Sequence, residues 1–236
     1  MTGRRVTSSL IAQLAETRSP STRANVLEEL RRLILAGGAP PGAQISPGEL
    51  ADAFQVSPIP VREALKTLVG EGLVVHQPHA GYRVSLLSVA ELREIYFVRG
   101  VLEQAALAQA VEACDPDTLA RARTYHEELV VAVKYSDSKA FHDVSRQFHR
   151  ELVTPCAMPR LLNMFDSTWN LTEPFQVMRA VSTPTQQALN DDHAAMLDAV
   201  AARDTAAVLD VARLHHERLE GAITETAADL DVRQPD

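Results

Sequence analysis

The sequence is poor in features that would tie the chain to an oxidising compartment or to a membrane. It has only two cysteines in 236 residues, Cys114 and Cys156, so no disulfide framework is indicated. No apolar run approaches the roughly 20 residues that a membrane-spanning helix needs, and no signal-peptide pattern opens the chain. We therefore expect a cytoplasmic protein without contact to a membrane.

Positive charge is also scarce, because the formal net charge of the chain is −8. This balance argues against a protein that nucleic acid covers on all sides. The charge is nevertheless uneven: residues 1–87 carry nine Lys/Arg and seven Asp/Glu, whereas residues 88–236 carry fourteen Lys/Arg and twenty-four Asp/Glu. A mildly basic head on an acidic body fits contact with DNA through one end only.

Residues 47–73 predict two short helices joined by a tight turn. The first is predicted over Pro47–Phe54, and the second begins after Ser57, which can cap it, with Pro58 in its first turn. Gly72 suits the left-handed cap that ends the second helix. The residues predicted to face inward are Leu50, Phe54, Val61, Leu65, Leu68 and Val69. Two helices joined this closely resemble a helix-turn-helix, whose second helix lies in the major groove of DNA.

Elements on either side extend the pattern. Ser21–Ala36 predicts a helix before the pair, and Leu73–Gln77 and Tyr82–Leu86 predict two strands after it, joined by a turn at Pro78–Gly81. A helix-turn-helix followed by a hairpin is a winged helix. Taken alone, the pattern also fits a small α+β domain with another purpose.

The run from Leu30 to Val84 resembles the GntR family of bacterial transcription regulators nearly position by position. The matching residues are Leu30, Arg31, Gly38, Pro41, Gly42, Leu50, Ala51, Val56, Ser57, Pro60, Val61, Arg62, Glu63, Ala64, Leu65, Leu68, Glu71, Gly72, Leu73 and Gly81. The resemblance implies a DNA-binding winged helix. The residues that we expect to contact DNA are Ser57, Arg62, Lys66, His79 and Gly81.

Three positions depart from the pattern of these relatives and remove positive charge. Pro58 and Gly48 stand where relatives often carry arginine, and Ala80 replaces a frequent base in the wing. Fewer cations imply fewer phosphate contacts and a shallower dependence of binding on salt. His76 and His79 could replace part of the lost wing contacts, although histidines in surface loops are more commonly without such a role.

From Ser88 onward the sequence predicts only helices, joined by short loops. The six predicted helices are Ser88–Ala113, Asp115–Tyr135, Asp137–Leu152, Pro159–Phe175, Thr183–Ala202 and Asp204–Ala228. The predicted apolar side of the first is Leu92, Ile95, Val98, Leu102, Ala106 and Ala110. The fold class is therefore mainly α: an N-terminal winged helix-turn-helix (α+β) followed by an all-α bundle. We expect a flexible arm over residues 1–20, with a short helix near residues 10–14, a DNA-binding domain over 21–87 and a helical domain over 88–232.

The bundle resembles the FCD ligand-binding domain of FadR-type GntR regulators. The matching residues are Val98, Arg99, Leu102, Glu103, Phe148, His149, His193, Asp204 and His215. The resemblance implies a domain for effector binding and dimerisation. It also implies that His149, His193 and His215, on three different helices, hold Zn²⁺ or another divalent transition metal.

One expected metal ligand is missing. Metal-binding relatives carry an aspartate four residues before the first histidine, where this chain has Ser145, whose hydroxyl is a poor ligand. Asp143 is predicted to face elsewhere, and His142 lies about 10 Å along the helix axis from His149, too far to bind the same ion. The site is therefore three histidines with positions left for water or ligand, or it has lost its metal. Without the resemblance, scattered histidines are ordinary core or surface residues.

Arg99 is predicted to face the interior of the bundle beside Glu103. A buried guanidinium needs an anion, which is either Glu103 or the carboxylate of a ligand, and the resemblance implies the second. Ser145 is expected to lie beside the same ligand. His216 is predicted to face outward, next to His215.

These features predict a ligand-responsive transcription regulator, more often a repressor in this family, that binds a palindromic operator as a homodimer. Its expected effector is a small organic acid. One alternative is a metal-free regulator with an apolar or acyl ligand. Another is a three-histidine metal hydrolase fused to a DNA-binding head, which would need a placed general base. Because no HExxH motif or nucleophile constellation accompanies the histidines, we expect no enzyme.

Overall fold

The computed structural model describes residues 23–225 and divides into two compact units. Among these residues, the first unit comprises the chain up to Leu87 together with Glu173–Phe175, and the second comprises Ser88–Thr172 and the chain from Gln176 onward. The predicted arm over residues 1–20, the start of the first predicted helix and the end of the last one lie outside the described residues. Within residues 23–225, no helix is both long and apolar enough to cross a membrane.

The first unit is a winged helix-turn-helix, and this confirms the predicted fold class. Its helices are α1 (Arg23–Leu35), α2 (Pro47–Phe54) and α3 (Pro58–Gly70), and its strands are β1 (Gln44–Ile45), β2 (Val74–Gln77) and β3 (Gly81–Val84). The strands form an antiparallel sheet in the order β1–β3–β2, so that Arg83 of β3 lies between Gln44 and Val75. Strand β1 was not predicted, because two residues are too few to show an alternating pattern.

Local signals begin and end the two helices of the helix-turn-helix. The Ser46 hydroxyl accepts a hydrogen bond from the Glu49 amide at 3.4 Å and so caps the start of α2. Gln55 ends α2 in a left-handed conformation. Gly72 follows α3 with a φ of 76°, the conformation that its predicted role as a helix stop requires.

Two predictions on α3 are wrong. Ser57 has the extended backbone of a capping residue, but its side chain makes no capping hydrogen bond. A capping hydroxyl commonly accepts from the third residue of the helix, which here is Pro60 and has no N–H. Val69, predicted to face inward, is 37% exposed, whereas Leu65 and Leu68 are buried. Consecutive helical residues lie about 100° apart, so Val69 leaves the buried face that Leu68 occupies.

A two-pronged ion pair joins α1 to the end of α3. Arg31 donates from Nε to Glu71 Oε2 at 2.9 Å and from Nη2 to Glu71 Oε1 at 2.5 Å. Both residues belong to the run that carries the family resemblance, and the pair fixes the C-terminal end of the recognition helix. The buried core beside it includes Leu30, Ile34, Leu50, Leu65, Leu68 and Val84.

The second unit consists of helices. They are α4 (Val89–Ala113), α5 (Pro116–Lys134), α6 (Ser138–Val153), α7 (Pro159–Thr172), α8 (Thr183–Ala201) and α9 (Thr205–Glu225), with 3₁₀ turns at Thr154–Cys156 and Val177–Arg179. Capping side chains begin several of them: Ser88 forms a complete capping box with Glu91, and Asp115 accepts from the Thr118 amide at 2.6 Å. The helix predicted from Pro159 to about Phe175 ends as an α-helix at Thr172 and is followed by a 3₁₀ turn over Glu173–Phe175, because Pro174 has no N–H for an α-helical hydrogen bond.

The buried side of α4 differs from the predicted apolar side. Val98 is exposed, whereas Tyr96, Arg99 and Glu103 are buried together with Leu92. Leu92, Ala106 and Ala110 are buried as predicted, and Arg99 faces the interior as predicted; the prediction is wrong for Val98, because apolar periodicity assumes that the buried side is apolar. Here the buried side of α4 presents charged groups to the interior of the second unit.

Candidate functional site

Three buried histidines from three helices converge in the second unit. They are His149 on α6, His193 on α8 and His215 on α9. Each offers one ring nitrogen, and these nitrogens all lie within 4.8 Å of one another. The Nε2 atoms of His149 and His193 are 3.2 Å apart. The sequence prediction placed these three residues together, and the structure brings them into one cluster that could hold a metal ion.

Burial keeps two of these imidazoles uncharged. It lowers the pKa of His193 well below its usual value, and the neighbouring His215 and His149 lower that pKa further. Burial also lowers the pKa of His215 to about 4, although Asp192 opposes the shift. An uncharged imidazole keeps the lone pair that a metal ion needs, so His193 and His215 are in the form that binds cations.

Carboxylates stand behind two of the histidines. Glu103 Oε1 lies 2.6 Å from His149 Nδ1, and Asp192 Oδ2 lies 3.6 Å from His215 Nδ1. Burial alone would raise the pKa of Glu103, but its contacts with His149 and with His216 lower that pKa well below its usual value. Glu103 therefore stays ionised and accepts the Nδ1–H of His149, which directs His149 Nε2 toward the cluster.

His216 is a member of this network, and the prediction that it faces outward is wrong. Its ring is buried, and its Nε2 lies 2.8 Å from Glu103 Oε2. The space for the ring is provided by Gly100, where an added Cβ would lie 3.0 Å from His216 Cγ. A glycine within a long helix was the signal in the sequence, since such glycines often allow close packing.

Ser145 and His142 line the cavity at the cluster. Both are buried on α6 and line the same cavity as His149. Asp143 is exposed and pairs with Lys139 at 2.5 Å, so it faces away from the cluster as predicted. No carboxylate of α6 therefore reaches the position that the aspartate of metal-binding relatives would occupy.

Arg99 lies in the same cavity between two aromatic rings. Its guanidinium carbon is 4.2 Å from the centre of the Tyr96 ring and 4.0 Å from that of Trp169. Its Nη2 donates to the Thr168 carbonyl at 2.9 Å and to the Thr172 hydroxyl. The aromatic rings were not predicted as part of the site. The contact of Trp169 with Arg99 depends on how α4 and α7 pack, whereas Tyr96 lies three residues before Arg99 on α4.

The family follows from comparison of the two units with known proteins. Residues 94–218, more than half of the chain, match the family described as the FCD domain. Residues 22–84 match the family described as bacterial regulatory proteins, gntR family. This chain belongs to the GntR family of bacterial transcription regulators and carries an FCD domain.

The relatives of this GntR regulator cover most of its length. It is 28% identical over 197 residues to the HTH-type transcriptional repressor GlaR of Escherichia coli (strain K12), covering 79% of this chain and 88% of GlaR. It is 25% identical over 210 residues to the gluconate operon transcriptional repressor of Bacillus licheniformis, covering 87% and 86%. The solved structure of E. coli McbR/YncC superposes with a TM-score of 0.75 at 25% identity, covering 87% of this chain and 98% of that one.

The predicted DNA contacts of this GntR regulator lie in its winged helix. Ser57, Arg62 and Lys66 are exposed on or just before α3. Lys66 pairs with Glu63 at 2.8 Å on the same helix. In the wing, His79 is exposed with a φ of 64°, and Gly81 has a φ of 80° with open space where a Cβ would stand. The tip of the wing therefore leaves room for another molecule to approach its backbone.

Proposed function

We propose that this GntR regulator is a repressor that binds a palindromic operator as a homodimer and is released by a small organic acid. The observation that carries the proposal is the buried cavity in its FCD domain, which Arg99 and three converging histidines line. The two relatives named as repressors support the direction of regulation. The operon in the name of one of them is called after gluconate, an organic acid.

At the DNA end, the proposal rests on the exposed side of α3. A two-fold dimer reads two equivalent half-sites, so its operator is a palindrome. Arg62 is the strongest candidate for a base contact, because an arginine fork can donate two hydrogen bonds to guanine. Lys66 is a point charge already paired with Glu63, which suits a weaker contact to phosphate.

Arg62→Ala is expected to weaken specific operator binding by about 1–3 kcal/mol, since it removes a contact to a base edge. The measurement is a gel-shift titration at fixed salt, with a palindrome from the DNA near the regulator's own gene as the probe. Two copies of the chain are expected to bind each palindrome. Arg123→Ala serves as the control, because Arg123 is an exposed arginine on α5 in the other unit. Unchanged affinity in Arg62→Ala would remove the role of Arg62.

For the metal, the donor set in the cavity supports the proposal. Three imidazoles suit Zn²⁺ or a similar divalent ion, and His149, His193 and His215 would hold it. Glu103 sets the ring orientation of His149, as carboxylates behind metal-bound histidines commonly do. A bound ion would supply positive charge that attracts the carboxylate of an effector. We propose no catalytic role, because both oxygens of Glu103 are bonded to imidazoles and do not form a free general base.

For the effector, Arg99 and Ser145 support an acid. Both line the cavity that the histidine cluster faces, and Arg99 is held in place by Tyr96 and Trp169. A guanidinium whose position is fixed in this way binds a carboxylate without first being ordered. Ser145 is smaller than aspartate and carries no charge, so α6 adds no carboxylate at this position to the ionised Glu103, whose two oxygens are bonded to imidazoles.

Arg99→Gln is expected to weaken binding of the effector acid roughly 10- to 100-fold, because a charge-assisted hydrogen bond is lost. A panel of acetate, lactate, gluconate and citrate is titrated into zinc-loaded protein by calorimetry, and the acid that binds is then tested for release of the operator. Arg99→Lys keeps the charge but loses the planar fork, so it should bind with intermediate affinity. Thermal melting checks that both variants fold. If an acyl compound releases the protein from the operator in the absence of metal and none of the acids does so, the metal-free alternative is favoured.

A further inference from the structure

The exposed side of the recognition helix carries an apolar residue. Ile59 is 69% exposed on the first turn of α3, between Pro58 and Pro60. It shares one side of the helix with Arg62 and Lys66, because residues three and seven apart lie on the same face. The opposite side of the helix faces the core of the first unit through Val61, Ala64, Leu65 and Leu68.

Packing within the first unit does not explain Ile59. A side chain this exposed buries little apolar surface, so it adds little to the stability of the fold. Its neighbours make it stiff, because Pro58 and Pro60 fix their own backbone and an isoleucine side chain has few rotamers in a helix. A stiff apolar group in this position loses little freedom when it contacts a partner.

The partner that fits Ile59 is the major groove of DNA. The first residues of a recognition helix contact base edges, and Arg62 beside Ile59 supplies the charge that the groove attracts. The methyl group of thymine is the apolar feature that a base pair presents there. Resting on the proposed operator binding, we propose that Ile59 packs against the 5-methyl group of a thymine and selects a T·A pair in each operator half-site.

Replacing thymine by deoxyuridine tests this contact, since deoxyuridine lacks only the 5-methyl group. Operators are selected from random duplex DNA with the wild-type protein, and each thymine is replaced in turn. Each half-site is expected to contain one sensitive thymine. Replacing it in one half-site should weaken wild-type binding about 4-fold, and replacing it in both should weaken binding about 15-fold, because each replacement removes one methyl group from an apolar contact. Ile59→Ala is expected to bind the thymine and deoxyuridine operators equally.

Val69→Ala is the matched control, because Val69 is also an exposed aliphatic residue of α3 but lies at its other end. This variant should discriminate thymine from deoxyuridine as the wild type does, and Ile59→Ala should melt at the wild-type temperature. Wild-type protein that selects no operator would refute the proposed function itself. An operator without a sensitive thymine, or discrimination that survives in Ile59→Ala, would overturn the role of Ile59 and leave the proposed function standing.

Discussion

Chelator-stripped protein is expected to take up Zn²⁺ in a calorimetric titration, and His193→Ala is expected to take up none. His193 is fully buried, and its Nε2 lies 3.2 Å from that of His149, at the centre of the cluster. Its loss leaves two imidazoles, too few for the three protein ligands typical of a zinc site with an open position. His126→Ala is the control, because His126 contacts the Asn190 carbonyl and lies outside the cluster.

Ser145→Asp provides the opposite change at the same site. The new carboxylate would stand one helical turn from His149 on the same face of α6, so two ligands would come from one helix. Zinc affinity is expected to rise, and effector binding is expected to depend less on metal, because the carboxylate competes with the acid. If wild-type protein binds no zinc and Ser145→Asp binds none either, the three histidines are cavity lining and the metal proposal fails.

Glu103→Gln is expected to lower zinc affinity about 10- to 100-fold, although Glu103 touches no metal ion itself. The carboxylate accepts from His149 Nδ1 at 2.6 Å and from His216 Nε2 at 2.8 Å. An amide has one oxygen and one NH₂ group, so it cannot accept from both rings. His149 then loses the partner that fixes its tautomer and ring orientation, and the cluster loses a nearby negative charge.

The same titration and a melting curve without metal distinguish this role from a structural one. Glu112→Gln is the control, since Glu112 is an exposed glutamate at the other end of α4. We expect both variants to keep the helical content of the wild type. Zinc affinity equal to that of the wild type in Glu103→Gln would show that the orientation of His149 does not depend on this carboxylate.

Helix boundaries were predictable where a local signal decides them. The capping box at Ser88 and the cap at Asp115 satisfy backbone N–H groups within one turn, so neighbouring residues alone determine where these helices begin. Pro174 was an equally local signal and could have placed the end of α7 correctly. Strand β1 has no such signal, because its two residues are ordered by pairing with β3, about 40 positions along the chain.

The site was predictable only in part. The family spacing brought His149, His193 and His215 together, although they are separated by many residues. His216 could not be placed in this way, because its side chain is turned inward by Glu103, a partner 113 residues away. Its neighbour His215 is also buried. Adjacent helical residues point about 100° apart, and only the space beside Gly100 lets both rings enter the interior.

The single tryptophan of the chain stands at the place where the effector is proposed to bind. The Trp169 ring lies 4.0 Å from the guanidinium of Arg99 and 5.8 Å from the centre of the His149 ring. The fluorescence of an indole responds to charges and ring systems that move beside it. Because no second indole contributes, the tryptophan emission of this protein comes from that one cavity wall. Binding of an effector in the cavity can therefore be followed without a label, at the same protein concentration at which operator binding is measured.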